Sequence, residues 1–235
     1  MKQSGLLVSA AASLKEAFEE IGAAFAHSGK LVPRFNFGAS GTLARQIEAG
    51  ASVDVFASAS PTEVDDLGRK NRIVAGTRAD FATNRLVLIY SLRSRLHGHG
   101  WEDAPIARMA LSNPDSVPSG RYARETLQHR GLWETVRKRA LLGQNVRQTL
   151  TYVANGDADM GLVFATDAQI EAKRVRVVGT AVAGRDHAPI VYPGVVVAGT
   201  THEADARAFV TFLTSQAAQA ILRRRGFGPP PTRGK

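Results

Sequence analysis

Residues 35–46 read FNFGASGTLARQ. An apolar, strand-like run over Leu31–Phe37 ends in Gly38-Ala39-Ser40-Gly41 and passes into helix-like spacing over Thr42–Ala49. A strand that becomes a helix within four residues is half of a βα unit, and the rest of the chain repeats it. The Gly-Ala-Ser-Gly junction fits a tight turn, an attacking hydroxyl, or a seat for an anion at a helix N-terminus.

The alternation extends in both directions. Leu6–Ala10, Val53–Ser58, Arg85–Tyr90, Ile106–Leu111, Met160–Phe164, Val175–Val178 and Ile190–Ala198 read as strands. Ser13–Phe25 carries Leu14, Phe18, Ile21 and Phe25 at helical spacing, and Pro61 opens a helix that ends near Lys70. Arg121–Gln128, Val146–Ala154 and a long segment over Ala204–Arg225 complete the helices, and GFGPPPTRGK reads as a frayed tail. The pattern predicts α/β layers around mostly parallel sheets. Phe81–Arg85 and Val191–Gly194 are candidate crossings between two lobes.

The 235 residues are enough for one large domain or two modest ones. No apolar run approaches the roughly 18–20 residues of a membrane span. MKQSGLLVSAAAS does not read as a signal peptide, so an exported form is expected to have lost its leader. The absence of cysteine excludes disulfides, thiol nucleophiles and thiolate metal sites. The net charge of +9 raises nucleic acid as a partner, but no basic tract is interleaved with aromatics and residues 1–82 are balanced, so none is expected. A solvated basic surface that also attracts small anions accounts for the excess.

The chemistry gathers at helix starts. Ser13-Leu14-Lys15-Glu16 fits a capping box, Ser40-Gly41-Thr42 and Val117-Pro118-Ser119-Gly120 open two more helices, and Asn145 is a good N-cap before Val146. Each start offers N–H groups without internal partners and about half a positive charge. Several aimed at one point would hold an anion without lysine or arginine. Gly38, Gly41 and Gly120 suit close approach and unusual dihedrals, and serine hydroxyls can donate as well as cap. Ordinary capping in any α/β protein explains each feature singly.

Rival chemistry fits less well. Gly38-Ala39-Ser40-Gly41 approaches the G-x-S-x-G nucleophile elbow, but Thr42 stands in place of its last glycine. A serine hydrolase using Ser40 would need a nearby histidine that no motif identifies. His97-Gly98-His99 is a loop tip rather than a metal motif, and no phosphate-binding or dinucleotide glycine loop is present. Asp54, Asp157, Asp159 and Asp167 are explained by turns and caps. An anion-sensing domain of a cytoplasmic regulator would need a helix-turn-helix segment, for which the pattern leaves no space.

Taken together, AASLKEAFEEI (11–21), FGASGTLARQIEAGASVDVFASA (37–59), NRLVL (84–88), NPDSVPSGRYARETL (113–127), GQNVRQTLTYV (143–153), GLVFATDA (161–168) and VYPGVVV (191–197) resemble the periplasmic molybdate-binding proteins of ABC importers. The resemblance runs nearly end to end. It implies a two-lobed periplasmic binding protein of the Venus-flytrap type, with lobe I at 1–82 plus 195–235 and lobe II at 83–194, joined by a two-crossing hinge. It implies a non-enzymatic, monomeric periplasmic protein that needs no cofactor, binds molybdate and tungstate and serves an ABC permease; another tetrahedral oxyanion such as sulfate is the alternative. The family's ligand positions fall on Ser13, Ser40, Ser119 and Val146, the last two as backbone donors. The position of a tyrosine hydroxyl found in some members falls on Phe164, which has none, so a water, a nearby serine or Tyr122 would have to supply another donor.

Overall fold

The computed structural model describes residues 5–27, 31–94 and 100–232; His97 and His99 lie outside them. In chain order the elements are β1 (Leu6–Ala11), a 3-10 turn (Ala12–Leu14), α1 (Lys15–Ala26), β2 (Pro33–Gly38), α2 (Ser40–Glu48), β3 (Val55–Ala57), α3 (Pro61–Arg69) and β4 (Ala79–Asn84). There follow β5 (Leu86–Ser91), β6 (Met109–Ser112), α4 (Pro118–His129), α5 (Trp133–Val136), β7 (Leu141–Gly143), α6 (Val146–Asn155), β8 (Met160–Phe164), α7 (Ala165–Ile170) and β9 (Val175–Thr180). The chain closes with β10 (Ile190–Val196), α8 (Glu203–Phe212) and α9 (Gln216–Arg224).

The chain divides into two compact units, 1–83 with 191–235, and 84–190. The first is built on a sheet of order β2-β1-β3-β10-β4, the second on β7-β6-β8-β5-β9. Both sheets are mixed rather than mostly parallel. In unit one β1 runs parallel to β2 and β3, while β10, on which the chain returns, runs antiparallel to β3. In unit two β6 runs parallel to β7 and β8, while β5 runs antiparallel to β8 and β9. Apolar pattern records burial but not strand direction, which explains the difference.

In unit one the helical face of Phe18, Ile21 and Phe25 is fully buried, as its spacing predicts. Phe18 lies 5.7 Å from Phe81, and Phe25 meets the edge of Phe209 at 5.2 Å. Leu43 and Ile47 of α2 and Val64 and Leu67 of α3 close over Phe56 and Val195. Each such side chain contributes about 1.5–3 kcal/mol. In unit two α4 and α6 pack on β6 and β8 and bury Leu127, Leu150 and Val153. Gly156, at φ 84°, ends α6 in the left-handed conformation.

Two expectations for the C-terminal region change. The helix expected over Ala204–Arg225 is two helices, α8 and α9, because Ser215 accepts the Ala218 N–H at 3.3 Å and starts a new one. The buried Gln219 amide then donates to the carbonyls of Leu213 and Phe81, 2.8 Å each. The tail is anchored through residue 229 rather than frayed. Phe227 is buried against Tyr192, and Gly228 exchanges backbone hydrogen bonds with Thr83 of β4, an edge strand absent from the sequence reading. Within the basic run, Arg224 and Arg225 pair with Glu20 on α1; Arg225 leads in holding that carboxyl below its ordinary value. Among the described residues no helix is long and apolar enough to cross a membrane.

Candidate functional site

Each unit presents helix starts at the carboxyl ends of adjacent parallel strands, the edge where open α/β sheets bind ligands. In unit one the register pairs Ala11 of β1 with Gly38 of β2, and Ala10 with Ala57 of β3. The chain therefore turns into the Ala12–Leu14 turn, α2 and α3 side by side. Ser13 and Ser40 stand at two of these turns, both buried.

Ser40 is the first residue of α2, so its N–H lacks a carbonyl four residues back. Its Oγ accepts the Ala59 N–H at 3.1 Å, which leaves the hydroxyl proton available to a guest. Ser13 is not the cap of its helix, contrary to the capping-box reading. It lies inside the 3-10 turn, and its hydroxyl is 3.0 Å from the Tyr192 hydroxyl, 179 residues away. A buried phenol offers a stronger fixed partner than a solvent-facing cap.

In unit two the register pairs Ser112 of β6 with Gly143 of β7 and Ala110 with Gly161 of β8. Here α4, α6 and α7 begin together. Ser119 is the second residue of α4, after Pro118, and Val146 is the first of α6; both are buried. Asn145 caps α6 as expected, accepting the Gln148 N–H at 3.0 Å. Gly120 has an ordinary φ, so it is not there for an unusual dihedral. A Cβ on it would stand 2.3 Å from the Ser112 carbonyl oxygen, so close packing on the protein itself demands glycine.

The hydroxyl of Ser119 faces inward. It is 2.8 Å from Ser112 Oγ, which is 2.9 Å from Thr149 Oγ1, which in turn donates to the Asn145 carbonyl at 3.2 Å. A carbonyl can only accept, so each proton in the chain is committed in one direction: Ser119 to Ser112, Ser112 to Thr149, Thr149 to Asn145. Ser119 thus has its backbone N–H, and no hydroxyl proton, to give to a guest. Beside Val146, Arg147 forms an ion pair with buried Asp167 at 2.7 Å, so neither group faces a guest as an uncompensated charge.

Phe164, at the end of β8, is buried, with Tyr122 of α4 at 6.4 Å edge-on. Tyr122 in turn lies 5.5 Å from His187. Behind this layer, Asp186 is buried. Burial alone would raise its pKa, but hydrogen bonds from Arg185, the Val182 N–H and Arg130 outweigh it and hold the carboxyl well below the usual carboxylate range. The described histidines bond away from Ser40: His27 to the Ala23 carbonyl, His129 to Asp186, His187 to the Ala188 carbonyl and His202 to Asp54. A cavity of about 820 Å³ in unit one is lined by Arg78, Asp80, Arg207 and Thr211 among others, and by neither serine.

The family of bacterial extracellular solute-binding proteins has a model that matches residues 6–228. The chain belongs to this family. A substrate-binding lipoprotein of a putative ABC transporter, YvgL from Bacillus subtilis, is 34% identical over 228 residues, covering 96% of this chain and 87% of its own. The molybdate-binding protein ModA of Haemophilus influenzae is 35% identical over 227 residues, 94% of this chain and 88% of its own. The periplasmic molybdate-binding protein of Azotobacter vinelandii superposes with a TM-score of 0.83 at 26% identity, over 96% of this chain and all of the other. The fold is accordingly the two-lobed one of extracellular solute-binding proteins.

In this solute-binding protein, Ser13 and Ser40 come together in unit one, and Ser119, Val146 and Phe164 in unit two. Sequence reasoning missed Tyr192, Ser112 and Thr149. Tyr192 lies in VYPG, which reads as a hinge from sequence. Ser112 and Thr149 are small buried positions of a strand end and a helix, and they carry no local signal.

Proposed function

We propose that the chain binds molybdate, and also tungstate, outside the cytoplasm, in the periplasm, and delivers it to the permease of an ABC importer, acting as a monomer and without chemistry. The curated ModA relatives and the A. vinelandii structure support the ligand class. One observation carries the reading at the residue level: Ser40 accepts from Ala59, so its N–H and its hydroxyl proton are both available to one oxyanion. Ser13, whose hydroxyl is 3.0 Å from that of Tyr192, joins it by its backbone N–H and its hydroxyl. Ser119 and Val146 add backbone N–H groups from unit two. The dianion would favour whichever conformer offers it the most of these donors, by differential contact. Five or six charge-assisted hydrogen bonds of roughly 1.5–3 kcal/mol each give roughly 8–18 kcal/mol gross, of which desolvation and closure consume part, against the roughly 8–10 kcal/mol of submicromolar binding.

This donor set selects by protonation state. Monohydrogen phosphate carries an O–H that needs an acceptor, and none of the four assigned residues is assigned as one. Molybdate, tungstate and sulfate are fully ionised and escape that penalty. Titration calorimetry with the four anions tests this. Molybdate and tungstate should bind with one-to-one stoichiometry and phosphate at least about a hundredfold more weakly, the loss of one charge-assisted hydrogen bond and the stranding of its donor. Equal affinity for phosphate and molybdate contradicts the donor-only site. Tighter binding of sulfate than of molybdate favours the sulfate reading instead.

A further inference from the structure

We infer that Ser112 and Thr149 are positioning residues that set oxyanion selectivity, by locking the two backbone donors of unit two at one separation. The inference rests on the oxyanion-binding reading. Ser112, Ser119 and Thr149 are each fully buried. Their hydroxyl chain begins on Ser119, whose N–H is one proposed donor. It ends on the carbonyl of Asn145, the residue immediately before Val146, whose N–H is the other. Thus the start of α4 is tied to the start of α6 by hydroxyls alone, across residues 37 positions apart in sequence for the Ser112–Thr149 step.

Two glycines remove slack from the arrangement. A Cβ at Gly120 would lie 2.3 Å from the Ser112 carbonyl oxygen, and one at Gly143 would lie 2.5 Å from Thr149 Oγ1. Helix α4 is therefore seated directly on the end of β6, and the β7–α6 turn directly on Thr149. Buried hydroxyl chains polarise one another and are strongest when every member is satisfied. Here every proton has an acceptor and the chain terminates on a carbonyl, so the order of donors cannot reverse. A fixed pair of amides matches one radius of tetrahedral oxyanion. A loosened pair would follow the smaller sulfate inward and grip the larger molybdate less well, which makes rigidity a selectivity device.

Thr149→Val keeps the shape of the side chain and removes its hydroxyl; Thr149→Ser keeps the hydroxyl. Calorimetry on the full chain with molybdate and sulfate is the test, with thermal unfolding recorded alongside. Thr149→Val is expected to weaken molybdate about tenfold and to shrink the molybdate-to-sulfate affinity ratio by about fivefold, whereas Thr149→Ser stays within about twofold of wild type on both. Ser112→Ala, which deletes the middle hydroxyl with little change of volume, should shift the ratio in the same direction and serves if Thr149→Val does not fold. A lowered melting temperature with an unchanged ratio in either folded variant would mean that the chain is merely structural, and overturns the inference while leaving the oxyanion site intact. If the wild-type chain binds none of these anions, the site reading itself falls and takes this inference with it.

Discussion

Gly120→Ala is expected to destabilise the protein by about 3 kcal/mol and to weaken molybdate binding by roughly ten- to a hundredfold. The added methyl would stand 2.3 Å from the Ser112 carbonyl oxygen and 2.8 Å from the Asn113 carbonyl carbon, both backbone atoms that cannot rotate away. The start of α4 must lift off the sheet. Ser119, the next residue back, moves with it, and its N–H loses alignment with a guest; one charge-assisted hydrogen bond of about 1.5–3 kcal/mol is then at stake. Gly131→Ala is the control. Gly131 has φ 69° and open space where its Cβ would go, so alanine there should cost about 1 kcal/mol of stability through its backbone conformation alone. Its affinity should not change. Chemical unfolding and calorimetry on both variants separate the effects. Wild-type affinity in a folded Gly120→Ala protein would remove Ser119 from the binding site.

Phe164→Tyr is expected to raise molybdate affinity about tenfold, the worth of one added charge-assisted donor. The ring is 1% exposed, with Tyr122 at 6.4 Å, so the substitution changes one atom in a position already shaped for an aromatic side chain. The direction of the change is informative because a buried hydroxyl is unfavourable unless it finds a partner. If the new hydroxyl reaches the oxyanion, affinity rises and the liganded protein melts higher. If it points into the interior, the melting temperature falls and affinity stays constant, and Phe164 then has no place among the ligand positions.

Much of this architecture was legible because its signals are local. The junction at Gly38–Gly41, the proline before Ser119 and the asparagine before Val146 each act within one turn of the helix they open, and Ser40, Ser119 and Val146 stand at or within one residue of the first position of those helices. Ser13 shows where local reading fails. Its spacing to Glu16 is that of a capping box, yet its hydroxyl meets Tyr192 from the far end of the chain. The same holds for Ser112 and Thr149, whose hydroxyls matter only because β6, α4 and α6 converge. Strand direction was equally hidden, since Val195 and Val196 of β10 look the same whether they run with or against β3. The break between α8 and α9 turns on one serine within a continuous amphipathic pattern, where capping outweighs periodicity.

The central proposal is that hydroxyl and peptide donors of Ser13, Ser40, Ser119 and Val146, rather than cationic side chains, hold one doubly charged tetrahedral anion. A titration of the nitrogen-15-labelled protein with molybdate, followed by amide resonances, tests it most directly. The amides of Ser13, Ser40, Ser119 and Val146 should all move downfield together and saturate at one equivalent, while arginine side-chain resonances stay in place. Saturating perturbation confined to arginine guanidinium groups, with those four amides unmoved, would contradict the account.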